Sequence, residues 1–130
     1  PVHDQNVEAL CPLMNVEKPS SLAAEREHDS RGVAKFVAEM KVKGIILGGK
    51  DAWKAADDLK KNNISVIYTN IYASPVRDDD GYDSLFEAPS KMAAAGVKFC
   101  LATGATGEDI AVARDLPFQA GLAGAYGRAK

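Results

Sequence analysis

The stretch GIILGGKDAWKAADDLKKNNISVIYTN, residues 44–70, decides the fold that the sequence predicts. Its two apolar runs, GIILGG and ISVIYTN, are typical of strands that are buried on both faces of a parallel sheet. Between them, apolar residues recur at helical spacing over 52–59, with Asp51 in place to cap the helix and Asn62 to close it. Strand, helix and strand in this order predict a right-handed βαβ unit.

The alternation of helices and strands continues towards the N-terminus. The clearest apolar stripe of the chain predicts a helix over 33–40. Residues 7–14 also have helical spacing, although Pro12 should interrupt that helix. A strand over 20–24 has little β propensity and is expected only because it completes the repeat.

The alternation also continues towards the C-terminus. We expect a helix over 89–95, with Pro89 in its first turn and Gly96 just past its end. The run VKFCLA then predicts a third clear strand, and residues 108–126 predict one helix broken near Pro117, or two helices. The pattern therefore predicts one α/β domain over 1–130, with parallel βα repeats.

Composition excludes several classes of function. The chain has 130 residues, 46% of them hydrophobic and 26% charged, with a net charge of -2. That charge provides no electrostatic footprint for nucleic acid or for an anionic membrane, and no apolar run approaches a membrane span. The N-terminus PVHDQ lacks Met, which suggests a fragment, a processed chain or a trimmed one. If the chain is complete, we expect a soluble cytoplasmic protein.

Two cysteines bear on the redox environment. Cys11 lies on the apolar stripe of the first predicted helix, and Cys100 lies inside an apolar predicted strand. We therefore expect two buried, reduced thiols that act as small hydrophobic residues, rather than a disulfide or a metal site.

The connection NIYASPVRDDDGYDSLFE, residues 70–87, is unusually long for a compact domain. Its aromatic residues, Tyr72, Tyr82 and Phe86, favour a lid that folds back over the carboxyl edge of the sheet. The run of three aspartates at 78–80 is read as a solvated charge cluster, because no histidine or spaced carboxylate accompanies it.

Binding residues are expected beyond the carboxyl ends of the strands. The stretch KFCLATGATGED, residues 98–109, has the pattern of strand, glycine-rich turn and helix start that often forms the entrance to an active site. It nevertheless carries no Asp, His, Cys or Lys between Leu101 and Glu108. The glycine turns LGGKD and TGATGED suit either a structural turn or an anion held on backbone N–H groups. The candidate binding residues at these strand ends are Gly48, Gly49, Lys50, Tyr68, Asn70, Thr103, Gly104 and Thr106.

The segment from Val42 to Gly104, followed by RDLPFQAGLAGAYG, resembles the second half of the metal-dependent amidohydrolases. The similarity is to the branch akin to imidazolonepropionases and dipeptidase-like enzymes. Its most specific parts are the helix after the double glycine, the loop PVRDDDGYD and the motif RDLPFQAG. The resemblance implies half of a (β/α)8 barrel, or an open flavodoxin-like sheet if the edges do not close.

The resemblance also implies where metal ligands should stand. Such enzymes hold one or two divalent metals, zinc or another, with His after the fifth and sixth strands and Asp after the eighth. These positions correspond to Ala23, to the pair Gly48 and Gly49, and to Ala105, and the family's first-strand His-x-His has no counterpart. We therefore expect no cofactor and no catalytic residue in this chain, because nothing generates a metal-bound hydroxide.

A relocated metal site at Glu25 and His28 is the remaining possibility for catalysis. The only other histidine is His3, far away in sequence, so a solvated histidine near a helix start is the preferred interpretation of His28. Glu25 and His28 are kept as candidate binding residues.

The predicted function is therefore an amidohydrolase-like domain that is catalytically incompetent as this chain, either a fragment of a larger hydrolase or a degenerate paralogue. The alternative is a small binding module that holds an anionic ligand at the glycine turns. For partners, we expect a homodimer or the missing remainder of the barrel, because half of a barrel exposes two strand edges and an apolar face.

Overall fold

One parallel sheet of four strands organises the protein. The computed structural model describes residues 5–69, 71–75, 77–104 and 112–128. The strands are β1 (Ser20–Ala24), β2 (Gly44–Gly48), β3 (Ser65–Tyr68) and β4 (Phe99–Leu101), and they are ordered β1-β2-β3-β4. The strand expected over 20–24 is thus confirmed. Sequential order is that of a barrel wall, whereas a doubly wound sheet reverses its strand order.

Helices connect and follow the strands. In chain order they are α1 (Gln5–Glu8), α2 (Cys11–Met14), α3 (Glu27–Met40), α4 (Ala56–Lys61), α5 (Ser84–Ala95) and α6 (Leu116–Arg128). Short 3-10 helices over Ala52–Ala55 and Ala113–Asp115 lead into α4 and α6. Pro117 lies in the first turn of α6, so a helix begins beside it, and residues 108–111 of the segment predicted as helical lie outside the described residues. Across the described residues, no helix has the length and apolar character needed to cross a membrane.

The two faces of the sheet have different environments. Ile46 and Val66 point to one face and are buried in the core, where α3, α5 and α6 pack. Leu47, the next residue of β2, points to the opposite face and is 37% exposed. The expectation that GIILGG is buried on both faces is therefore wrong, because the helices that pack on the described sheet cover one face only.

The core lies between the covered face and the helices. Its buried residues come from every βα unit, and the largest are Ile46, Leu59, Val66, Tyr68, Ile71, Leu85 and Met92. Gly44 lets α3 pack closely against the start of β2, since a Cβ atom there would lie 2.5 Å from Cγ2 of Val37. Gly96 ends α5 in a left-handed conformation with φ 77°, as the sequence predicts.

Helix α5 is longer than the sequence predicts. It begins at Ser84, so Pro89 lies inside it and not in its first turn. The prediction of 89–95 was wrong because proline inside a helix leaves the carbonyl four residues earlier without its N–H donor, and this normally disfavours the helix. Here the buried Tyr68 hydroxyl donates a hydrogen bond of 2.9 Å to that carbonyl, the oxygen of Leu85. The core therefore supplies the donor that Pro89 removes.

The cysteine prediction is wrong with respect to burial. Both Cys11 and Cys100 are free, and both are exposed. Cys100 shares a register row with Ile67 on the uncovered face, and its strand lies at the edge of the described sheet. The apolar neighbours of Cys100 in sequence suggested burial, but the outward face of an edge strand gives it none.

Tyr68→Phe should destabilise the protein by about 1–3 kcal/mol, because it leaves the buried carbonyl of Leu85 without a donor. In a Pro89→Ala background the new N–H of residue 89 can bond to that carbonyl, so the same substitution should cost clearly less. Urea unfolding of the four proteins measures the difference.

Tyr72→Phe serves as the matched control, because Tyr72 is 56% exposed, and it should change the free energy of unfolding by less than about 0.5 kcal/mol. An equal loss from Tyr68→Phe in both backgrounds would contradict the proposed coupling.

Candidate functional site

The carboxyl ends of the four strands lie side by side and form one edge. Ala24 is in register with Gly48, Gly48 with Tyr68, and Tyr68 with Leu101. The chain leaves the sheet at this edge in four consecutive turns, and two of these turns contain the glycines singled out in the sequence. Ligands of parallel α/β proteins bind beyond this edge, so any site of this chain is expected here.

The turn after β2 requires both of its glycines. Gly48 has φ 103° and Gly49 has φ 73°, a left-handed backbone that other residues rarely adopt. The N–H of Gly49 donates to the carbonyl of Ala24 at 2.7 Å, and the N–H of Asp51 donates to the carbonyl of Glu25 at 2.9 Å. These two donors bind β1 to the turn and are not turned towards a ligand. Lys50, in the same turn, is half-buried.

Glu25 lies directly beside this turn. A Cβ atom at position 48 would lie 2.8 Å from Cδ of Glu25, and closer still to its Oε1. The carboxylate of Glu25 therefore occupies the space that a side chain at position 48 would need. Glu25 and Gly48, both predicted as site residues, are brought together, but as packing partners.

Tyr68 is placed on the covered side of the sheet. Its ring is 1% exposed and its hydroxyl is held by Leu85, as described above. Burial raises the pKa of Tyr68 far above its ordinary value, and the nearby carboxylates of Asp51 and Glu25 raise it further. Tyr68 therefore stays neutral, and it packs in the core beneath the carboxyl edge instead of facing a ligand.

A partly buried ion cluster fixes the loop that follows β3. Nζ of Lys54 lies 2.8 Å from both carboxylate oxygens of Asp80 and 3.2 Å from Oδ1 of Asp51. Burial lowers the pKa of Lys54, but the hydrogen bonds to Asp80 and Asp51 outweigh this effect and raise the pKa above its ordinary value. The ammonium group is therefore held charged between the two carboxylates.

This cluster corrects two expectations. Asp51 lies at the N-cap position, but its side chain makes no capping hydrogen bond and pairs with Lys54 instead. The three aspartates at 78–80 are not uniformly solvated, because Asp80 has only 17% of its side chain exposed, whereas Asp79 is exposed and pairs with Arg77. The long connection also ends earlier than predicted, at Asp83, since α5 begins at Ser84.

A half-open cavity of about 240 Å3 lies at the carboxyl ends of β3 and β4. It is lined by the predicted residues Thr103 and Gly104, and Tyr72 of the long loop also lines it. Among the described residues, the lining is Thr69, Tyr72, Ala73, Thr103, Gly104, Val112 and Gln119. Hydroxyl and amide groups of this kind can hold a small ligand by hydrogen bonds. None of these side chains is a carboxylate, an imidazole, a thiol or an amine.

Sequence reasoning missed Gln119, which is 4% exposed and reaches this cavity from α6. Its only sequence signal was its place in the motif RDLPFQAG. Thr69 was also missed, although it directly follows β3 and therefore stands at the expected edge.

The remaining candidates are not brought into this cavity. His28 is exposed in the first turn of α3, in a hollow lined by Glu27, Arg31, Gly32 and Lys35 of the same helix. Asn70, Thr106 and Ala105 lie outside the described residues. Within the described ranges, no three His, Cys, Asp or Glu side chains are grouped so as to hold a metal ion.

Comparison with known proteins identifies the fold. No protein-family model and no curated protein matches this sequence. The structure is similar to that of an amidohydrolase from Thermotoga maritima MSB8, with a TM-score of 0.78 and 20% sequence identity. The two proteins share a fold. The alignment covers 100% of this chain and 33% of the Thermotoga chain, so this chain spans a third of that protein.

This similarity agrees with the sheet itself. Four parallel strands in sequential order, with helices packed on one face, are consistent with half of a (β/α)8 barrel. The expected fold class, parallel βα repeats consistent with half of a barrel, is therefore confirmed.

Asp80→Asn should loosen the long loop, because Lys54 then loses its charged partner in that loop. We expect amide exchange of residues 77–83 to become roughly tenfold faster, equivalent to about 1.4 kcal/mol of local opening free energy. Hydrogen exchange followed by mass spectrometry measures this change.

Asp79→Asn is the matched control. It removes a carboxylate from the same loop, but that carboxylate pairs only two residues away, with Arg77, and should leave the exchange rates within about twofold. Equal acceleration in both variants would show that Lys54 does not fix the loop.

Proposed function

We propose that this chain is an amidohydrolase-derived domain, of the branch akin to imidazolonepropionases and dipeptidase-like enzymes, that does not itself hydrolyse C–N bonds. The shared fold supports the amidohydrolase part of the proposal. The motifs after the double glycine, in PVRDDDGYD and in RDLPFQAG, support the branch.

The proposal that the chain is inactive rests on one observation, the chemistry of the side chains at the ends of β1 and β2. The positions that correspond to metal ligands in these enzymes are Ala23 and the pair Gly48 and Gly49, which have no donor atom in their side chains. Zinc requires nitrogen, sulfur or oxygen ligands, usually three from the protein in a catalytic site.

The space beside the turn argues in the same direction. The carboxylate of Glu25 fills the volume next to position 48, and the backbone there is left-handed. A metal-binding side chain at this position therefore meets both an occupied volume and a strained conformation. The residues present do not fit a metal at this place, so no step of a metal-assisted hydrolysis is assigned to them.

Metal analysis tests the proposal. After dialysis against zinc and then against metal-free buffer, the chain should retain far less than one ion per molecule. It should also hydrolyse no amide or lactam faster than buffer does when zinc or manganese is present. One tightly held ion per chain would overturn the proposal.

A Glu25→Gln/His28→Ala variant makes the metal analysis more specific. Should the unchanged chain hold an ion that this variant loses, the relocated site at Glu25 and His28 would be the one in use. We expect equal, substoichiometric zinc in both proteins.

The cavity at the ends of β3 and β4 favours a second candidate function, a small binding module. Its lining groups include the glycine turn at Thr103 and Gly104, where backbone N–H groups suit an anion. Titration with inorganic phosphate, followed by amide chemical shifts, should then move the signals of Thr103 and Gly104 saturably at millimolar phosphate. Unchanged signals, or equal shifts across the whole surface, would show that this cavity does not bind an anion and would reject the binding-module function.

A further inference from the structure

The uncovered face of the sheet is composed of neutral side chains. By alternation and register, two rows point there, one of Ser21, Ile45 and Ser65 and one of Ala23, Leu47, Ile67 and Cys100. We call these seven side chains the open face. Sheets that turn one face to water normally place polar residues on it. The open face instead has two isoleucines and a leucine at its centre.

The two edges of the sheet are also unprotected. β1 and β4 each have one neighbour in the described structure, so their outer backbone groups can pair with another strand. Charged residues or proline commonly prevent such pairing, but the sequences SSLAA of β1 and FCL of β4 contain neither. Further strands could therefore pair with both edges and cover the apolar face between them.

The size of the open face decides how a partner can bind. Four strands about 4.8 Å apart, of three to five residues at about 3.3 Å per residue, give a face of roughly 270 Å2. A stable complex buries about 800 Å2 per partner, so two such faces stacked flat fall well short. Pairing at both edges adds strand hydrogen bonds and brings the flanking helices into contact, which increases the buried area.

We propose that a second copy of this chain covers the open face, and that the two copies close an eight-stranded parallel barrel. A two-fold axis along the barrel places β4 of each copy beside β1 of its partner, with all strands parallel. Eight strands give an interior that side chains just fill. The seven residues of the open face are uncharged, so covering them buries no charged side chain of the strands, and the closed symmetry leaves no edge free.

Sedimentation equilibrium of the 130-residue chain at micromolar concentration tests the association. We expect a mass of about 28 kDa, twice the 13.8 kDa of one chain, with a concentration-dependent approach to it. The two exposed cysteines then report where the contact lies. A thiol reagent should modify Cys11, on α2, rapidly and Cys100, on the open face, about tenfold more slowly, because the barrel interior excludes the reagent.

Two variants locate the contact independently. Leu47→Asp places a carboxylate on the open face and should raise the dimer dissociation constant by about a hundredfold or more, since two unpaired charges are buried per dimer. Phe36→Asp is the matched control. Phe36 on α3 is 45% exposed, similar to Leu47, but lies outside the open face, so this variant should remain dimeric.

Three results would overturn the proposal. The first is a 13.8 kDa species with no concentration dependence and two equally reactive cysteines. The second is a dimer in which Cys100 stays reactive and Leu47→Asp has no effect, and the third is an open series of larger oligomers. If circular dichroism shows that Leu47→Asp does not fold, the rates at which the thiol reagent modifies Cys11 and Cys100 of the unchanged chain still test the proposal.

Discussion

Helices pack on one side of the parallel sheet, and this determines which strand residues are buried and which face of the sheet stays uncovered. Because α3, α5 and α6 contact the same face, alternate residues of each strand have opposite environments, and Ile46 is buried while Leu47 is exposed. The parallel direction of the strands places all four carboxyl ends at one edge, and the one-sided packing leaves the open face uncovered. The core, the candidate site and the open face therefore all follow from how this one sheet is built.

At the carboxyl edge, several side chains of types that often serve in catalysis have a structural role instead. Lys54 and Asp80 fix a loop, Tyr68 supplies a donor to a proline-containing helix, and Glu25 fills the space beside a glycine. Lys54, Asp80 and Tyr68 are held by neighbours and largely withdrawn from solvent, whereas Glu25 is exposed beside the turn. The stability of this edge therefore comes from packing and from bonds within the chain.

Local pattern was sufficient for the order of elements and insufficient for burial. The run GIILGG and the helix after it were assigned correctly, because hydrophobic periodicity and glycine turns are local signals. The start of α5 was missed, because the donor that replaces the N–H of Pro89 is the hydroxyl of Tyr68, twenty-one positions earlier in the sequence. The exposure of Cys100 was missed because sequence does not show which face the helices cover.

The same limit applies to the candidate site. Thr103 and Gly104 could be found from the glycine turn that follows a strand, and they do line a cavity. Gln119 could not be found in this way, because α6 brings it to the edge from another part of the chain. The packing of Glu25 against Gly48 depends on the pairing of β1 with β2, which no short motif encodes.

The geometry at Gly48 limits which residues can occupy this turn. Any other residue at position 48 must adopt a left-handed backbone, at a cost of roughly 1–2 kcal/mol, and the carboxylate of Glu25 must also move away. The backbone and the carboxylate are independent obstacles, so replacing Glu25 with a smaller residue removes one and leaves the other. The turn therefore keeps position 48 as glycine even where its neighbours change.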